Sequence, residues 1–230
     1  MRIIKQRIII KCAQARLKKF YPVDSLLIIV MEDRIRLIKN HYEPLLVKYT
    51  EGYEILDWES RDAQFKRFEV LTDNIDLTGK KLLDVGCGIG DLYGFLKKRR
   101  IPVQYYGVDI LKEMTTRAES LHPEGKFFCG NLFDRRMFGK KQFDVVFASG
   151  LFSLNLGNNK SFLTKALPVL FEYAKEYVVF NLLDESASIH GNTYYFFNGK
   201  EVLHRVRRYA RSARCLSGYL PGDFTVIAEV

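Results

Sequence analysis

A chain of 230 residues can bury one sizeable core and still carry an appendage. Hydrophobic residues make up 47% and charged residues 27%, and the longest apolar run, Leu26 to Met31, is far short of the ~20 residues a membrane-spanning helix needs. The net charge of +9 is uneven: residues 1–50 hold 11 Lys/Arg against 4 Asp/Glu, residues 51–200 hold 20 of each, and residues 201–230 hold 5 Arg against 3 acids.

The N-terminus, MRIIKQRIIIK, threads charges through its apolar residues and has no clean signal-peptide core, so the cytoplasm is the default location. A basic end favours nucleic acid, an acidic membrane surface or an anionic substrate; the plainest reading is a solvated helix face. Residues 1–50 read as helices. The first runs through Leu17 and Phe20, and Tyr21-Pro22 breaks it. Asp24 or Ser25 caps a second helix through Leu37 and Ile38, and Pro44 suits the first turn of a third ending near Tyr49.

From Lys80 the rhythm changes. KKLLDVG reads as a buried strand and GDLYGFLKKRR as a helix with its cationic end at the C-terminus, where the helix dipole favours it. VQYYGVDI is a second strand and LKEMTTRAESLH a second helix. KFFCGNL and FDVVFASG are the third and fourth strands. NKSFLTKALPVLFEYAK is helical, with Pro168 a kink, and EYVVFNLL is the fifth strand. GKEVLHRVRRYAR is a helix, and ARCLSGYL and DFTVIAEV are two late strands joined at Pro221-Gly222. Alternating strands and helices imply a mostly parallel sheet covered on both faces. The last two strands have no helix between them and must pair antiparallel. The expected fold is therefore α/β: a doubly wound, seven-stranded sheet, mostly parallel, with an antiparallel C-terminal strand. The expected domains are a helical N-terminal extension over residues 1–50 and one α/β domain over residues 51–230.

Cys12, Cys87, Cys129 and Cys215 form no C-x-x-C pair and have no histidine at ligand spacing, so neither a metal site nor a disulfide framework is expected. Cys87 reads as a small residue tolerated in the most informative stretch, LLDVGCGIGDL at residues 82–92. In open parallel sheets ligands bind beyond the carboxyl ends of the strands, and glycines there let backbone approach the ligand. A pyrophosphate loop reads G-x-G-x-x-G. Here Gly86, Gly88 and Gly90 are spaced G-x-G-x-G, Asp91 takes the third-glycine place, and Asp84 sits two residues before the first glycine. Two carboxylates repel a pyrophosphate and suit a ligand carrying positive charge.

The segment resembles the first motif of the class I S-adenosyl-L-methionine-dependent methyltransferases, which have a Rossmann-like fold. S-adenosyl-L-methionine has a sulfonium, an α-ammonium and no phosphate. Asp84, Gly86, Gly88, Asp109 and Ile110 match the family's positions. The resemblance implies that Asp109, ending the second strand, accepts hydrogen bonds from the ribose hydroxyls and that Ile110 packs on the adenine. The family usually has an acid after the third strand; here Asn131 stands there, its side-chain carbonyl still an acceptor, followed by Leu132. Ser149, Gly150 and Leu151 fall beside the methionine part.

No Asn/Asp/Ser-Pro-Pro-aromatic motif follows the fourth strand, which argues against methylation of a base's exocyclic amine. A narrower resemblance covers residues 50–230. EGYEILDWESRDAQFKRFEVL, SGLFSLN, VVFNLLDE, YYFF and GYLPGDFTVIAEV are similar to a bacterial group of class I methyltransferases without an assigned substrate. Gln64 and Arg67 share a helix face just before the first strand, where Arg67 can meet the cofactor's carboxylate or form a surface ion pair. Trp58, the only tryptophan, reads as a buried anchor. The loop NLLDESASIHGNTYYFF offers Asn181, Asp184, His190, Tyr194 and Tyr195 to an acceptor pocket, with Asp184, His190 and Tyr194 the catalytic candidates. The expected function is methyl transfer to a small-molecule acceptor, with anionic character suggested by the basic end. Two alternatives stand beside it: an RNA or ribosomal methyltransferase using the basic N-terminus, and a non-catalytic cofactor-binding protein on the same fold.

Overall fold

The computed structural model describes residues 23–134, 137–187 and 191–230. The first expected helix and His190 lie outside these residues. The chain divides into two compact units, Met1–His41 and Tyr42–Val230. Helix α1 is Val23–Lys48. The expected break before Pro44 is therefore corrected: Pro44 sits inside α1. A helical proline forfeits one backbone hydrogen bond. Here the missing N–H deprives only the Asn40 carbonyl of its backbone donor, and the helix continues one more turn to Lys48. Arg117 supplies donors there, to Leu46 O at 3.2 Å, Tyr49 O at 3.4 Å and Thr50 O at 3.1 Å.

After α1 come a single turn, α2 (Gly52–Ile55), and α3 (Arg61–Asn74). Ser60 caps α3, its Oγ accepting from Ala63 N at 3.0 Å. Strands and helices then alternate: β1 (Lys81–Val85), α4 (Asp91–Lys98), β2 (Gln104–Asp109), α5 (Lys112–Leu121), β3 (Lys126–Cys129), β4 (Phe143–Ala148), α6 (Asn159–Tyr173) and β5 (Ala174–Asp184). A two-residue β6 (Phe196–Phe197), α7 (Gly199–Val206), β7 (Ser212–Ser217) and β8 (Asp223–Glu229) complete the described elements.

The sheet runs β3-β2-β1-β4-β5-β8-β7, with β6 attached to β5 off this path. The first five strands pair in parallel; β8 is antiparallel to both β5 and β7. The seven expected strands are all present. β6, pairing with Leu183 and Asp184, is too short to leave a periodic signal and was read as loop. Pro168 lies inside α6 as read.

Both faces of the sheet are buried. Leu83 and Val85 of β1, Val146 and Ala148 of β4, and Val178, Phe180 and Leu182 of β5 pack with α6 and α7. Leu82, Val145, Phe147 and Val179 pack on the other face with Phe68 and Leu71 of α3 and Leu92 of α4. This two-residue alternation is the pleat of a strand, and burial on both faces explains why the strands read as continuous apolar runs. Strand order reverses between β1 and β4, so the crevice beyond their carboxyl ends is the natural ligand position.

Candidate functional site

The turn from β1 into α4 is built on left-handed backbone. Gly86 has φ 78°, Gly88 54° and Gly90 86°. Gly86 N and Cys87 N both donate to Val108 O, at 2.8 and 3.1 Å, which ties the turn to the end of β2. Cys87 is buried, and burial pushes its thiol well above the usual range.

Asp109 ends β2 and anchors two backbones. Oδ2 accepts from Gly88 N at 3.0 Å and Oδ1 from Leu111 N at 2.9 Å. A carboxylate offers about four lone-pair sites, so each oxygen keeps capacity for a ligand hydroxyl. Asp84 is 3% exposed and accepts from Tyr105 OH at 2.7 Å. Asp91 begins α4 and accepts from Gln64 Nε2 at 2.9 Å. Burial pushes all three carboxyls up. Asp84 reaches about 7: burial is the main cause, opposed by the Tyr105 hydrogen bond and reinforced by Asp109 and Asp91.

These carboxylates predict a pH dependence. A carboxyl raised on folding contributes stability that is full below its unfolded value and lost as pH rises through about 7. Asp84 alone accounts for up to about 4 kcal/mol between those limits. Denaturant unfolding should therefore give a more stable ligand-free chain at about pH 5.5 than at about pH 8, and Asp84→Asn should flatten the difference. An unchanged slope in that variant would remove Asp84 from the account. Cation-bearing ligands favour the ionised carboxyls, so their affinity should rise over the same window.

The far side of the crevice is the end of β4. Gly150 (φ 74°) donates from N to Asn181 Oδ1 at 3.1 Å. Ser149 Oγ is buried without a hydrogen-bond partner among the described residues. Asn181 is 1% exposed within β5, inside the expected fifth strand EYVVFNLL and at the start of the stretch offered to an acceptor pocket. Beyond β3, Asn131 Oδ1 accepts from Phe133 N at 3.0 Å, Leu132 is half-buried against the core, and Ile110 O receives the Cys129 thiol at 3.8 Å.

A strap, Gly52–Trp58, lies over the glycine loop. Gly52 is pressed against the Asp91 carboxylate, and a Cβ on Gly88 would stand 2.7 Å from Leu56 Cδ2. A Cβ on Gly150 would stand 2.9 Å from the Trp58 ring. Asp57 adopts φ 56° and accepts the Tyr194 hydroxyl on both its backbone oxygen (3.3 Å) and its carboxylate. Tyr194 is backed by a bridge to Leu154 and by Tyr195 N donating to Ser153 O at 2.8 Å. Tyr42, half-buried, stands within electrostatic reach of Asp109 and Asp57.

Arg67 is neither at the surface nor in a surface ion pair, which corrects that reading. It is 6% exposed, stacks 4.2 Å from the Trp58 ring centroid, and pairs with Asp223. Asp184 Oδ1 accepts from Ser186 N at 2.8 Å and caps its own turn. The loop carboxylates, Ser149 and Gly150 thus stand at or beyond the carboxyl ends of β1, β2 and β4, Gln64 is bonded to Asp91, and Tyr194 is bonded to the strap at Asp57. Sequence reasoning missed Tyr42, Leu56, Asp57 and Asp223. Each acts through a segment distant in the chain, and a single sequence carries no signal for such contacts.

The arrangement suits an adenosyl ligand with positive charge. It offers glycine backbone without side chains, a free pair of acceptors on Asp109, buried carboxylates that repel one another, and an unpartnered Ser149 hydroxyl. A pyrophosphate would meet three carboxylates at the loop. Among the described residues no group of three His, Cys, Asp or Glu could hold a metal, and no helix is long and apolar enough to cross a membrane.

The Methyltransferase domain family matches residues 82–172. Rv1506c of Mycobacterium tuberculosis (strain ATCC 25618 / H37Rv), whose name describes a methyltransferase, is 28% identical over 157 residues, 64% of this chain and 90% of that protein. Magnesium protoporphyrin IX methyltransferase from Synechocystis PCC 6803 with bound SAM superposes with a TM-score of 0.57 at 15% identity, covering 77% of this chain and 81% of the other. A SAM-dependent methyltransferase from Archaeoglobus fulgidus gives 0.60 at 16% identity, covering 77% and 97%.

Proposed function

We propose that the chain is a class I S-adenosyl-L-methionine-dependent methyltransferase that takes that cofactor, and that its acceptor is a small molecule of anionic character, methylated within an enclosed crevice. The observation that carries this reading is the closed rim. Asp57 of the strap and Tyr194 of the loop after β5 meet by hydrogen bond over the site, which suits a small acceptor better than a polymer strand. The uneven basic charge supports anionic character. Residues 1–50 are taken as an extension and residues 51–230 as the methyltransferase domain.

In this reading Asp109 holds the ribose hydroxyls, and Ile110, Asn131 and Leu132 border the adenine. Gly86, Cys87 and Gly88 give backbone access. Asp84 and Asp91 favour the cofactor's positive charge, with Gln64 fixing Asp91. Ser149 and Gly150 flank the methionine part, and Arg67 faces its carboxylate. The cofactor supplies a methyl group activated on a sulfonium. The chain's contribution is to align acceptor and methyl carbon and to exclude water, and alignment can supply most of the rate. Leu56 covers Gly88, so the strap shifts to admit the cofactor. Tyr194 and Asp184 are the acceptor-side groups able to hold a polar acceptor; the third candidate, His190, lies outside the described residues.

Screening fractions of cell extract with methyl-labelled cofactor tests the reading. Label in a low-molecular-weight product supports it. Label only in RNA, or no transfer by a chain that binds the cofactor, would replace it.

A further inference from the structure

The methionine end of the site contains a buried acid to which the reading above gives no role. Asp223 opens β8, and its side chain is 1% exposed. Its Oδ2 lies 2.6 Å from Nε of Arg67, whose side chain is 7% exposed. The two groups are close without hydrogen-bond alignment, so the contact is chiefly electrostatic. Burial pushes the Asp223 carboxyl up, and the Arg67 guanidinium pulls it back down.

The surroundings fix Arg67 on several sides. Nη1 donates to Ala63 O at 2.6 Å, one turn back on α3. The Trp58 ring covers the guanidinium at 4.2 Å and at the same time rests on Gly150. Asn181 stands beside Asp223 and holds Gly150 N through its Oδ1. The buried pair is thereby wired to the Ser149–Gly150 corner of the crevice. A guanidinium has five N–H donors in a fixed fork. One is spent on Ala63 and Nε is turned towards Asp223, which leaves donors on the Nη atoms for an incoming carboxylate.

A buried ion pair is weak evidence for stability, because desolvation offsets most of the attraction. A long side chain that must bind a planar carboxylate through two parallel bonds, however, gains from being held in one orientation. We infer that Asp223 is the positioning residue for Arg67: it orients the guanidinium so that the fork meets the α-carboxylate of the cofactor's methionine part. This rests on the cofactor reading of the site and deepens it.

Binding of two ligands to the full chain, measured by calorimetry, separates the possibilities. S-adenosylhomocysteine carries the amino-acid group, and 5′-methylthioadenosine lacks it. The wild type should prefer the former by about 100-fold or more, two charge-assisted hydrogen bonds' worth. Asp223→Asn should weaken S-adenosylhomocysteine about 10- to 100-fold and leave methylthioadenosine within about twofold, so that the preference collapses. Equal loss of both ligands would make Asp223 merely structural, and an unchanged preference would remove it from the site; either overturns the inference. If Asp223→Asn does not fold, Arg67→Lys carries the same comparison: it keeps the charge and loses the fork. An undiminished preference in that variant also overturns the inference. The cofactor reading fails separately, and first, if the folded wild type binds neither ligand.

Discussion

Asp109→Ala should cost the chain about 10²- to 10⁴-fold in affinity for S-adenosyl-L-methionine while leaving it folded. The carboxylate already accepts Gly88 N and Leu111 N, at 3.0 and 2.9 Å, so its position is fixed before any ligand arrives. A hydrogen bond to a charged group is worth about 1.5–3 kcal/mol, and in the proposed reading the two ribose hydroxyls supply two of them. Alanine removes both and also releases the glycine loop from its anchor. Asp109→Asn keeps one acceptor oxygen and should fall between wild type and alanine. Since burial disfavours the ionised carboxyl in the free chain, neither substitution should unfold it, and circular dichroism checks that. An alanine variant binding within about threefold of wild type would mean that the ribose lies elsewhere.

Phe152→Ala should be the most damaging of the simple core substitutions near the site. Phe152 is 0% exposed, lies 5.5 Å from the Phe162 ring and 5.8 Å from the Phe180 ring, and its carbonyl accepts Asn159 Nδ2 at 2.8 Å. It directly follows Ser149-Gly150-Leu151 and forms the backing of that turn. Truncating a buried phenylalanine costs about 3–5 kcal/mol. For a chain of this size that lowers Tm by about 6–20 °C. Scanning calorimetry reads the shift. Below about 1 kcal/mol the turn after β4 would have to sit on something other than this aromatic cluster.

The sheet was readable in the sequence because β1, β4 and β5 are buried on both faces and so form unbroken apolar runs. The glycine loop was readable because backbone geometry there demands glycine: Gly86, Gly88 and Gly90 all take positive φ. Asp109 was readable because a carboxylate ends an otherwise apolar strand, although its hold on Gly88 N and Leu111 N left no mark in the sequence. Other features left no local trace. α1 continues past Pro44 because the rule about proline concerns one hydrogen bond, and Arg117, far along the chain, serves the carbonyls at that helix end. Asn181 lies in the strand EYVVFNLL, but its hold on Gly150 N across from β4 leaves no mark in the sequence. Arg67 and Asp223, and likewise Asp57 and Tyr194, meet only when the fold closes. The cofactor side was therefore visible through residue type and spacing. The Asp57–Tyr194 and Arg67–Asp223 contacts, made between segments far apart in the chain, emerged only from the structure.

Equilibrium dialysis of methyl-labelled S-adenosyl-L-methionine against the folded, full-length wild-type chain tests the central claim most directly. The account predicts saturable binding of one cofactor per chain, strengthening as pH rises through about 7 and displaced by S-adenosylhomocysteine. Label distributed equally on both sides of the membrane, with a chain that circular dichroism finds folded, would contradict it.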